Sequence, residues 1–181
     1  MKFTQDWFSQ NIPNFEFVKA NLTDNKRILE IGSFEGRSTC WILENMLDDN
    51  GHIYCLDSFK GGEEHVDLDL TSLIDVFHNN VLEVKKSNQT ITTIENMSYL
   101  GLSALVVEEL KFDFVYVDGN HLAREVLTDA CLAWKLLDSK GVILFDDYLG
   151  GMEVKQAVDA FIYAFKPKVL FQNYQLAIIK E

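Results

Sequence analysis

Three aspartates and one histidine, placed at the ends of two apolar segments, are the residues best suited to chemistry. Asp118 ends the segment FDFVYVD, His121 follows it closely, and Asp146 and Asp147 directly follow GVILF. Clustered carboxylates repel one another unless a cation joins them, so we expect Mg²⁺ at the aspartates, with water at its other positions. A neutral imidazole at His121 could take a proton from a hydroxyl group held by that cation.

Each of these residues also has a structural alternative, which the sequence leaves open. Asp118 could serve only to orient a cofactor or the backbone. Asp147 could cap the following helix, and His121 could be a hydrogen-bonding residue near a helix N-terminus.

A glycine turn in the segment LEIGSFEGRS predicts a binding site for a small molecule that carries an anionic group. The acidic Glu30 lies near the end of an apolar strand, Gly32 and Gly36 form the turn, and a helix begins at Ser38. A strand, a glycine turn and a helix N-terminus together form a cradle for such ligands. The spacing of the glycines departs from the GxGxxG pattern of dinucleotide sites, which disfavours a nicotinamide or flavin cofactor.

A second acidic residue, Asp57, stands at the end of the strand-like segment HIYCLD. A carboxylate at this position could accept hydrogen bonds from both hydroxyls of a ribose, and the alternative is a turn or helix-cap residue. Ligands of open α/β sheets bind outside the carboxyl ends of the strands. Asp57 and the glycine turn therefore predict a nucleoside-bearing cofactor.

Strand and helix patterns alternate from about residue 27 onward. The predicted strands are 27–31, 52–57, 90–95, 112–118, 142–146, 169–172 and 175–179. Several are nearly continuous apolar runs, as parallel strands buried on both faces are, and the segments between them have apolar residues at helical spacing. This alternation predicts a doubly wound α/β sheet. Only Asn173 and Tyr174 separate the last two strands, so these two form an antiparallel hairpin.

We expect one domain over residues 1–181, since no linker or internal repeat interrupts the pattern. Residues 1–26 are predicted to be a helical, aromatic segment that packs across the sheet, and its aromatic residues could also line part of a substrate pocket; they are Trp7, Phe8, Phe15 and Phe17. The glycine-rich acidic loop at residues 60–69 could be a lid or substrate loop, or a solvated charged loop.

The charge of the chain argues against nucleic acid as a partner. Sixteen basic and 28 acidic residues give a net charge of −12, without a cluster of Lys or Arg. A neutral or cationic small molecule suits this field better. The N-terminus lacks the apolar stretch of a signal peptide, and no window approaches the roughly 18 apolar residues of a membrane span. We therefore expect no membrane association and a cytoplasmic location.

These motifs resemble those of class I S-adenosylmethionine-dependent methyltransferases. The chain is most similar to the branch of catechol O-methyltransferase and the metal-dependent sugar O-methyltransferases of macrolide biosynthesis. The resemblance runs from about residue 27 to the C-terminus and rests on ILEIGSFEGRST, FDFVYVDGNH and GVILFDDY in that order. It implies a Rossmann-like seven-stranded sheet, mostly parallel with an antiparallel C-terminal strand and helices on both faces. It also implies Mg²⁺-assisted O-methylation of a small hydroxylated acceptor.

The resemblance further implies roles for individual residues. The matching cofactor-binding residues are Glu30, Gly32, Phe34 and Ser38 at the methionine part, Asp57 at the ribose, Asn96 and Met97 at the adenine, and Ser33, Gly36, Ser58 and Asp118 beside them. The matching Mg²⁺ ligands are Asp118, Asp146 and Asp147, and the matching catalytic residues are His121 and Asp118.

The chain departs from this family pattern at two points. Relatives often have Asn where this chain has Asp147, which makes the predicted metal site more negative here. Only 26 residues precede the first predicted strand, so the pocket is open or is completed by a second subunit of a homodimer. Three alternatives to the main hypothesis stay open: a metal-independent methyltransferase, a non-catalytic S-adenosylmethionine-binding domain, and a nicotinamide oxidoreductase.

Overall fold

One mixed sheet organises the computed structural model, which describes residues 1–62 and 68–181. Its strands are β1 (Arg27–Ile31), β2 (His52–Asp57), β3 (Thr90–Glu95), β4 (Phe112–Val117), β5 (Leu137–Phe145), β6 (Lys168–Gln172) and β7 (Leu176–Ile179). The spatial order is β3-β2-β1-β4-β5-β7-β6. The first five strands pair in parallel, and β7 pairs antiparallel with both β5 and β6. The predicted doubly wound, mostly parallel sheet and its C-terminal hairpin are thus confirmed.

Helices cover both faces of this sheet. They are α1 (Ile12–Asn21), α2 (Arg37–Asn45), α3 (Leu73–Val84), α4 (Ser98–Val107), α5 (Ala123–Leu136) and α6 (Met152–Phe165). Successive strand side chains point to opposite faces. Leu29 of β1 therefore joins the core beneath α4, α5 and α6, whereas its neighbour Ile28 joins the core beneath α1, α2 and α3. Burial on both faces explains why the central strand β4 and the second half of β5 are nearly continuous apolar runs in the sequence.

Strand β5 begins earlier than the apolar pattern predicts. Its first residue, Leu137, pairs with Phe112, and the register then shifts before Val142 pairs with Phe114. The segment between contains Lys140 at a φ of +63°, which is a left-handed backbone conformation. This irregular, polar stretch resembles a turn in sequence, so the start of the strand could not be read from periodicity.

Strands β1 and β4 lie side by side at the point where the chain changes direction across the sheet. Ile31 pairs with Val117, and the backbone N–H of Asp118 donates a 2.8 Å hydrogen bond to the carbonyl of Ile31. The residues after these two strands consequently meet at one edge. This is the switch point at which open α/β sheets bind ligands.

The N-terminal segment packs against the α2 and α3 side of the sheet. A short 3-10 turn at Ser9–Asn11 leads into α1. Phe15 of α1 is fully buried, and its ring lies 4.9 Å from the Tyr116 ring and 5.9 Å from the Phe114 ring. Within the described residues, no helix has the length and apolar character needed to cross a membrane.

Candidate active site

A cleft of about 530 Å³ opens at the carboxyl ends of the strands. This volume lies within the range of small-molecule sites in proteins. The predicted site residues that line it are Gly32, Ser33, Phe34, Ser38, Asp57, Ser58, Asn96, Met97, Asp118, His121, Asp146 and Asp147. Two predicted cofactor residues, Glu30 and Gly36, do not line it. Of the acidic loop at 60–69, Lys60, Gly61 and Gly62 line the cleft, and residues 63–67 lie outside the described part of the chain.

The two glycines of the turn after β1 allow its backbone to approach neighbouring segments more closely than a residue with a side chain would permit. Gly32 has a φ of +85°, and a Cβ added there would lie 1.9 Å from the carbonyl oxygen of Asp118. Gly36 has a φ of +82°, and a Cβ there would lie 2.9 Å from the ring of Phe77. The two glycines therefore let the turn fold tightly against β4 and α3, which leaves backbone groups facing the cleft.

Glu30 lies behind this turn and holds it together. Its carboxylate is fully buried and accepts hydrogen bonds from the hydroxyls of Ser33 at 2.8 Å, Ser38 at 2.5 Å and Thr39. Burial raises the pKa of Glu30, and the three hydroxyls oppose that rise. Glu30 therefore connects the strand, the turn and the start of α2 from inside the protein.

Asp57 is already bound to the same turn from the other side. Its Oδ2 accepts the backbone N–H groups of Ser33 and Phe34, both at 2.8 Å, and its Oδ1 accepts the N–H of Phe59 at 2.7 Å. Asp57 therefore does act as a turn residue, which was the alternative to ribose binding. Asp57 also lines the cleft, and a carboxylate has about four acceptor positions, so capacity for a further donor remains.

Asp118 and Asp146 meet at the hydroxyl of Tyr116. The Tyr116 oxygen lies 3.0 Å from Oδ2 of Asp118 and also contacts Oδ2 of Asp146. Burial raises the pKa of Asp118 well above its usual value, and the nearby charges of Asp146 and Asp147 add to that rise. Burial likewise raises the pKa of Asp146. The two carboxylates are thus held together at the wall of the cleft, where Asp146 is buried and Asp118 is partly buried.

Asp147 pairs with His121. Its backbone is left-handed with a φ of +53°, and its Oδ2 lies 3.1 Å from Nε2 of His121. The Tyr174 hydroxyl donates to the other carboxylate oxygen. The hydrogen bond from His121 lowers the pKa of Asp147 below its usual range.

The donor set at this edge fits a hard divalent cation. Asp118, His121 and Asp147 each place one potential ligand atom so that these atoms lie within 4.8 Å of one another. Tyr116 has a single hydroxyl proton and can donate it to only one of its two carboxylate neighbours. A cation would supply the positive charge that this arrangement lacks. Asp146, predicted as a ligand, is outside this geometric group, and His121 is within it.

The N-terminal segment forms a wall of the same cleft. Gln5, Trp7, Phe8 and Gln10 line it, and the Trp7 ring lies 5.3 Å from the ring of Phe34. Thr4 donates to Glu35 from its backbone at 2.7 Å and from its hydroxyl at 2.8 Å. Trp7 therefore matches the pocket-lining alternative for this segment. Phe8 lines the cleft and also belongs to the core, whereas Phe15 belongs to the core alone.

Three residues of the site were missed by the sequence reasoning. Tyr116 could have been found, because it precedes Asp118 by two positions and a strand places such residues on one face. Asn11 donates to Asp146, and Tyr174 donates to Asp147, but both come from segments distant in the sequence. No local pattern marks either of them.

The chain belongs to a methyltransferase family. The sequence profile described as "Methyltransferase domain" matches residues 29–148, which is more than half of the chain. The matched stretch runs from the glycine turn to the acidic pair, and so spans the cleft-forming strand ends described above.

Solved structures with the same fold include several methyltransferases. The O-methyltransferase TomG from Streptomyces achromogenes, in complex with S-adenosylmethionine, has a TM-score of 0.69 and 19% identity, covering 98% of this chain and 82% of that chain. A protein assigned as an rRNA methylase from Clostridium thermocellum has a TM-score of 0.69 and 15% identity, covering 99% and 100%. An O-methyltransferase from Bacillus cereus has a TM-score of 0.64 and 18% identity, covering 99% and 84%. At such identities, the likeness establishes the fold.

One curated relative also matches. It is the uncharacterised protein R132 of Acanthamoeba polyphaga mimivirus, which is 27% identical over 143 residues, or 77% of this chain and 57% of the relative. The chain therefore spans little more than half the length of that protein.

Proposed function

We propose that this chain transfers a methyl group from S-adenosylmethionine to a hydroxyl group of a small molecule, with the help of Mg²⁺. One observation carries the proposal. The glycine turn with Asp57 and the group of Asp118, His121, Asp146 and Asp147 line one and the same cleft, so a methyl donor and a hydroxylated acceptor would meet there.

The cofactor would lie along the β1 turn and the ends of β2 and β3. Its methionine part would contact Gly32, Phe34 and Ser38, with Glu30 and Gly36 acting through the turn that they shape. Its ribose would lie at Asp57 beside Ser58. Its adenine would lie at Asn96 and Met97. All of these proposed cofactor residues line the cleft, except Glu30 and Gly36. TomG and the Bacillus cereus enzyme, which share the fold, were crystallised with S-adenosylmethionine and SAH respectively.

Each bound group would supply one kind of chemistry. S-adenosylmethionine, when bound, supplies a methyl group on a sulfonium sulfur, and an acceptor oxygen displaces that sulfur as a neutral thioether. Mg²⁺, when bound, supplies positive charge that lowers the pKa of the acceptor hydroxyl. Asp118, Asp146 and Asp147 are the proposed ligands.

The side chains of this chain would then move the proton and align the reactants. His121 would accept the hydroxyl proton, and its Nε2 lies 3.1 Å from Oδ2 of Asp147. A carboxylate on one ring nitrogen keeps an imidazole oriented and stabilises it after it takes a proton. The walls of the cleft would hold oxygen, methyl carbon and sulfur in line, which is the remaining source of rate acceleration.

We propose a small molecule rather than a nucleic acid as acceptor. The net charge of −12 opposes a phosphate backbone, and it favours a sulfonium cofactor and a divalent cation. The N-terminal residues that line the cleft would form one wall of the acceptor side.

A methyl-transfer screen tests this function. The protein is incubated with S-adenosylmethionine and a panel of catechols, sugars and other hydroxylated small molecules, in Mg²⁺ or in EDTA. We expect S-adenosylhomocysteine to form with at least one acceptor in Mg²⁺, and not in EDTA. Turnover that is equal in EDTA would support the metal-independent alternative. Cofactor binding by calorimetry without transfer to any acceptor would support the non-catalytic alternative.

A further inference from the structure

Asp146 is held in the site by neutral groups. It is 6% exposed, its Oδ1 accepts the backbone N–H of Asp147 at 2.8 Å, and its Oδ2 contacts the Tyr116 hydroxyl. The Asn11 amide nitrogen lies 3.1 Å from Oδ2 and 3.4 Å from Oδ1. Within the described residues, no Lys or Arg forms a salt bridge with Asp146. Its orientation therefore depends on hydrogen bonds alone.

Tyr116 joins Asp146 to Asp118. The side chain is 1% exposed, and its ring packs edge-on against Phe15, so the position of the hydroxyl is set by the core. The hydroxyl bridges two carboxylates that come from the ends of neighbouring strands. Replacing Tyr116 with Phe would remove the bridge and leave the packed ring in place.

Asn11 joins the same carboxylate to the N-terminal wall of the cleft. It is 3% exposed and ends the 3-10 turn, which contains the cleft-lining residue Gln10 and follows the cleft-lining residues Trp7 and Phe8. Its contact to Asp146 spans 135 residues of sequence. Removing the amide would leave the wall without its connection to Asp146.

We propose that Asn11 and Tyr116 are positioning residues that hold Asp146 against Asp118 and thereby set the geometry of the cation site. This inference rests on the proposed function, because it concerns the cation of that site. Partners that orient metal ligands typically account for 10–100-fold in metal affinity. Asn11 acts through Asp146, and Tyr116 acts through Asp146 and Asp118, rather than by touching the acceptor or cofactor.

Binding of Mn²⁺ as a probe, measured by electron paramagnetic resonance of the free ion, tests the inference without any turnover. We expect Asn11→Ala and Tyr116→Phe each to weaken binding about 10-fold or more. Asn80→Ala is the matched control for Asn11, because Asn80 is also a buried amide. Its amide donates to the backbone carbonyl of Lys2 at 2.8 Å and to that of Glu35 at 2.9 Å. Asn80 thus holds the other end of the N-terminal segment, away from Asp146. Tyr148→Phe is the control for Tyr116, because its buried hydroxyl donates to Asp159 at 2.8 Å.

A double-mutant cycle shows whether both residues act through Asp146. In an Asp146→Asn background, we expect Asn11→Ala to lose most of its effect on Mn²⁺ affinity and Tyr116→Phe to lose part of its effect, because Tyr116 also contacts Asp118. Thermal melts establish that each variant is folded, and Asn11→Ser replaces Asn11→Ala if the latter is not. Effects that persist in full in the Asp146→Asn background would overturn the inference.

The outcomes separate this inference from the proposed function. If the unaltered protein binds Mn²⁺ and both variants bind it equally well, the positioning role is wrong and the proposed function stands. Equal losses of Mn²⁺ affinity in Asn80→Ala and Tyr148→Phe would also overturn the positioning role, because they would reflect a general destabilisation of the protein. If the unaltered protein binds no Mn²⁺, the cation part of the proposed function fails, and the inference fails with it.

Discussion

Nε2 of His121 lies 3.1 Å from Oδ2 of Asp147, which joins the loop after β4 to the end of β5. The pair is partly open to solvent, with 44% of the His121 side chain and 24% of the Asp147 side chain exposed. A carboxylate on one ring nitrogen holds an imidazole in a fixed orientation and stabilises it once it is protonated. Under the proposed function, we therefore expect the pair to act together in proton transfer at the mouth of the cleft.

Replacing His121 with Gln should lower kcat by about 10²–10⁴-fold, the usual contribution of a general base. The affinity for S-adenosylmethionine should change little, because the proposed cofactor contacts do not include His121. The affinity for Mn²⁺ should also change little, because the proposed ligands are Asp118, Asp146 and Asp147, although His121 lies close enough to be a fourth. Steady-state kinetics and calorimetry measure these quantities. His78→Gln is the control, since His78 contacts Thr93 on β3 at 3.2 Å and does not line the cleft. A matching loss of Mn²⁺ affinity would instead make His121 a cation ligand.

Asp118→Ala should abolish Mg²⁺-stimulated turnover while the fold persists, because Asp118 is the proposed ligand shared by the cation and cofactor parts of the cleft. Turnover with and without EDTA, together with circular dichroism, measures both effects. Asp113→Ala is the matched control at the opposite end of β4, where Asp113 accepts the backbone N–H groups of Lys26 at 2.9 Å and Arg27 at 2.8 Å. Stimulation by Mg²⁺ that survives in Asp118→Ala would contradict the assignment.

Gly32→Ala should weaken S-adenosylmethionine binding at least about tenfold, and should destabilise the fold by about 1–2 kcal/mol from the left-handed φ alone. The added Cβ would lie 1.9 Å from the Asp118 carbonyl oxygen, so the turn must move away from β4. Calorimetric titration and urea unfolding measure the two effects. Gly151→Ala should be nearly neutral, because its Cβ would find its nearest neighbour at 3.5 Å. Unchanged cofactor affinity in Gly32→Ala would remove the turn from the cofactor site.

Asp129→Asn should stabilise the protein, and more so as the pH rises. Burial raises the pKa of Asp129 to about 7 from its usual value of 3.8. Within the described residues, neither carboxyl oxygen has a hydrogen bond of normal geometry. The unfolded chain therefore loses this proton at lower pH than the folded chain does. Below about pH 4 the carboxyl group is protonated in both states, so it does not change the free energy of unfolding. From about pH 4 to pH 7 only the unfolded chain loses the proton, so the free energy of unfolding falls as the pH rises.

The advantage of Asp129→Asn over the unaltered protein should grow by about 2–3 kcal/mol between pH 5 and pH 8, at about 1.4 kcal/mol for each pH unit below the folded pKa. Urea unfolding at both pH values measures it. Asp159→Asn is a contrasting control, because the pKa of the Asp159 carboxyl is lowered and Lys155 pairs with it at 2.5 Å. An advantage that does not depend on pH would show that Asp129 is not protonated in the folded state.

The fold could be predicted closely where local periodicity decides it. The bounds of β1, β2 and β3 agree with the predicted ones, because β1 and β2 carry buried apolar residues and the edge strand β3 is rich in β-branched residues. The start of β5 could not be predicted, because its first residue pairs with Phe112 across an irregular polar stretch. The cleft-lining positions of Asp118, His121, Asp146 and Asp147 could be predicted, because the carboxyl ends of parallel strands meet at one edge.

The sequence by itself determined the family pattern: the glycine turn, the acidic strand ends and the alternation of strands and helices, all of which depend on residues close together in the chain. Only the tertiary structure decided that Glu30 supports the turn from behind, that Asp57 accepts its backbone N–H groups, and that Tyr116 bridges two carboxylates. It also decided that Asn11 reaches Asp146 from the N-terminal segment. The physical reason is that local spacing specifies which face of a strand or helix a residue occupies, whereas packing of distant segments specifies which side chain it then meets.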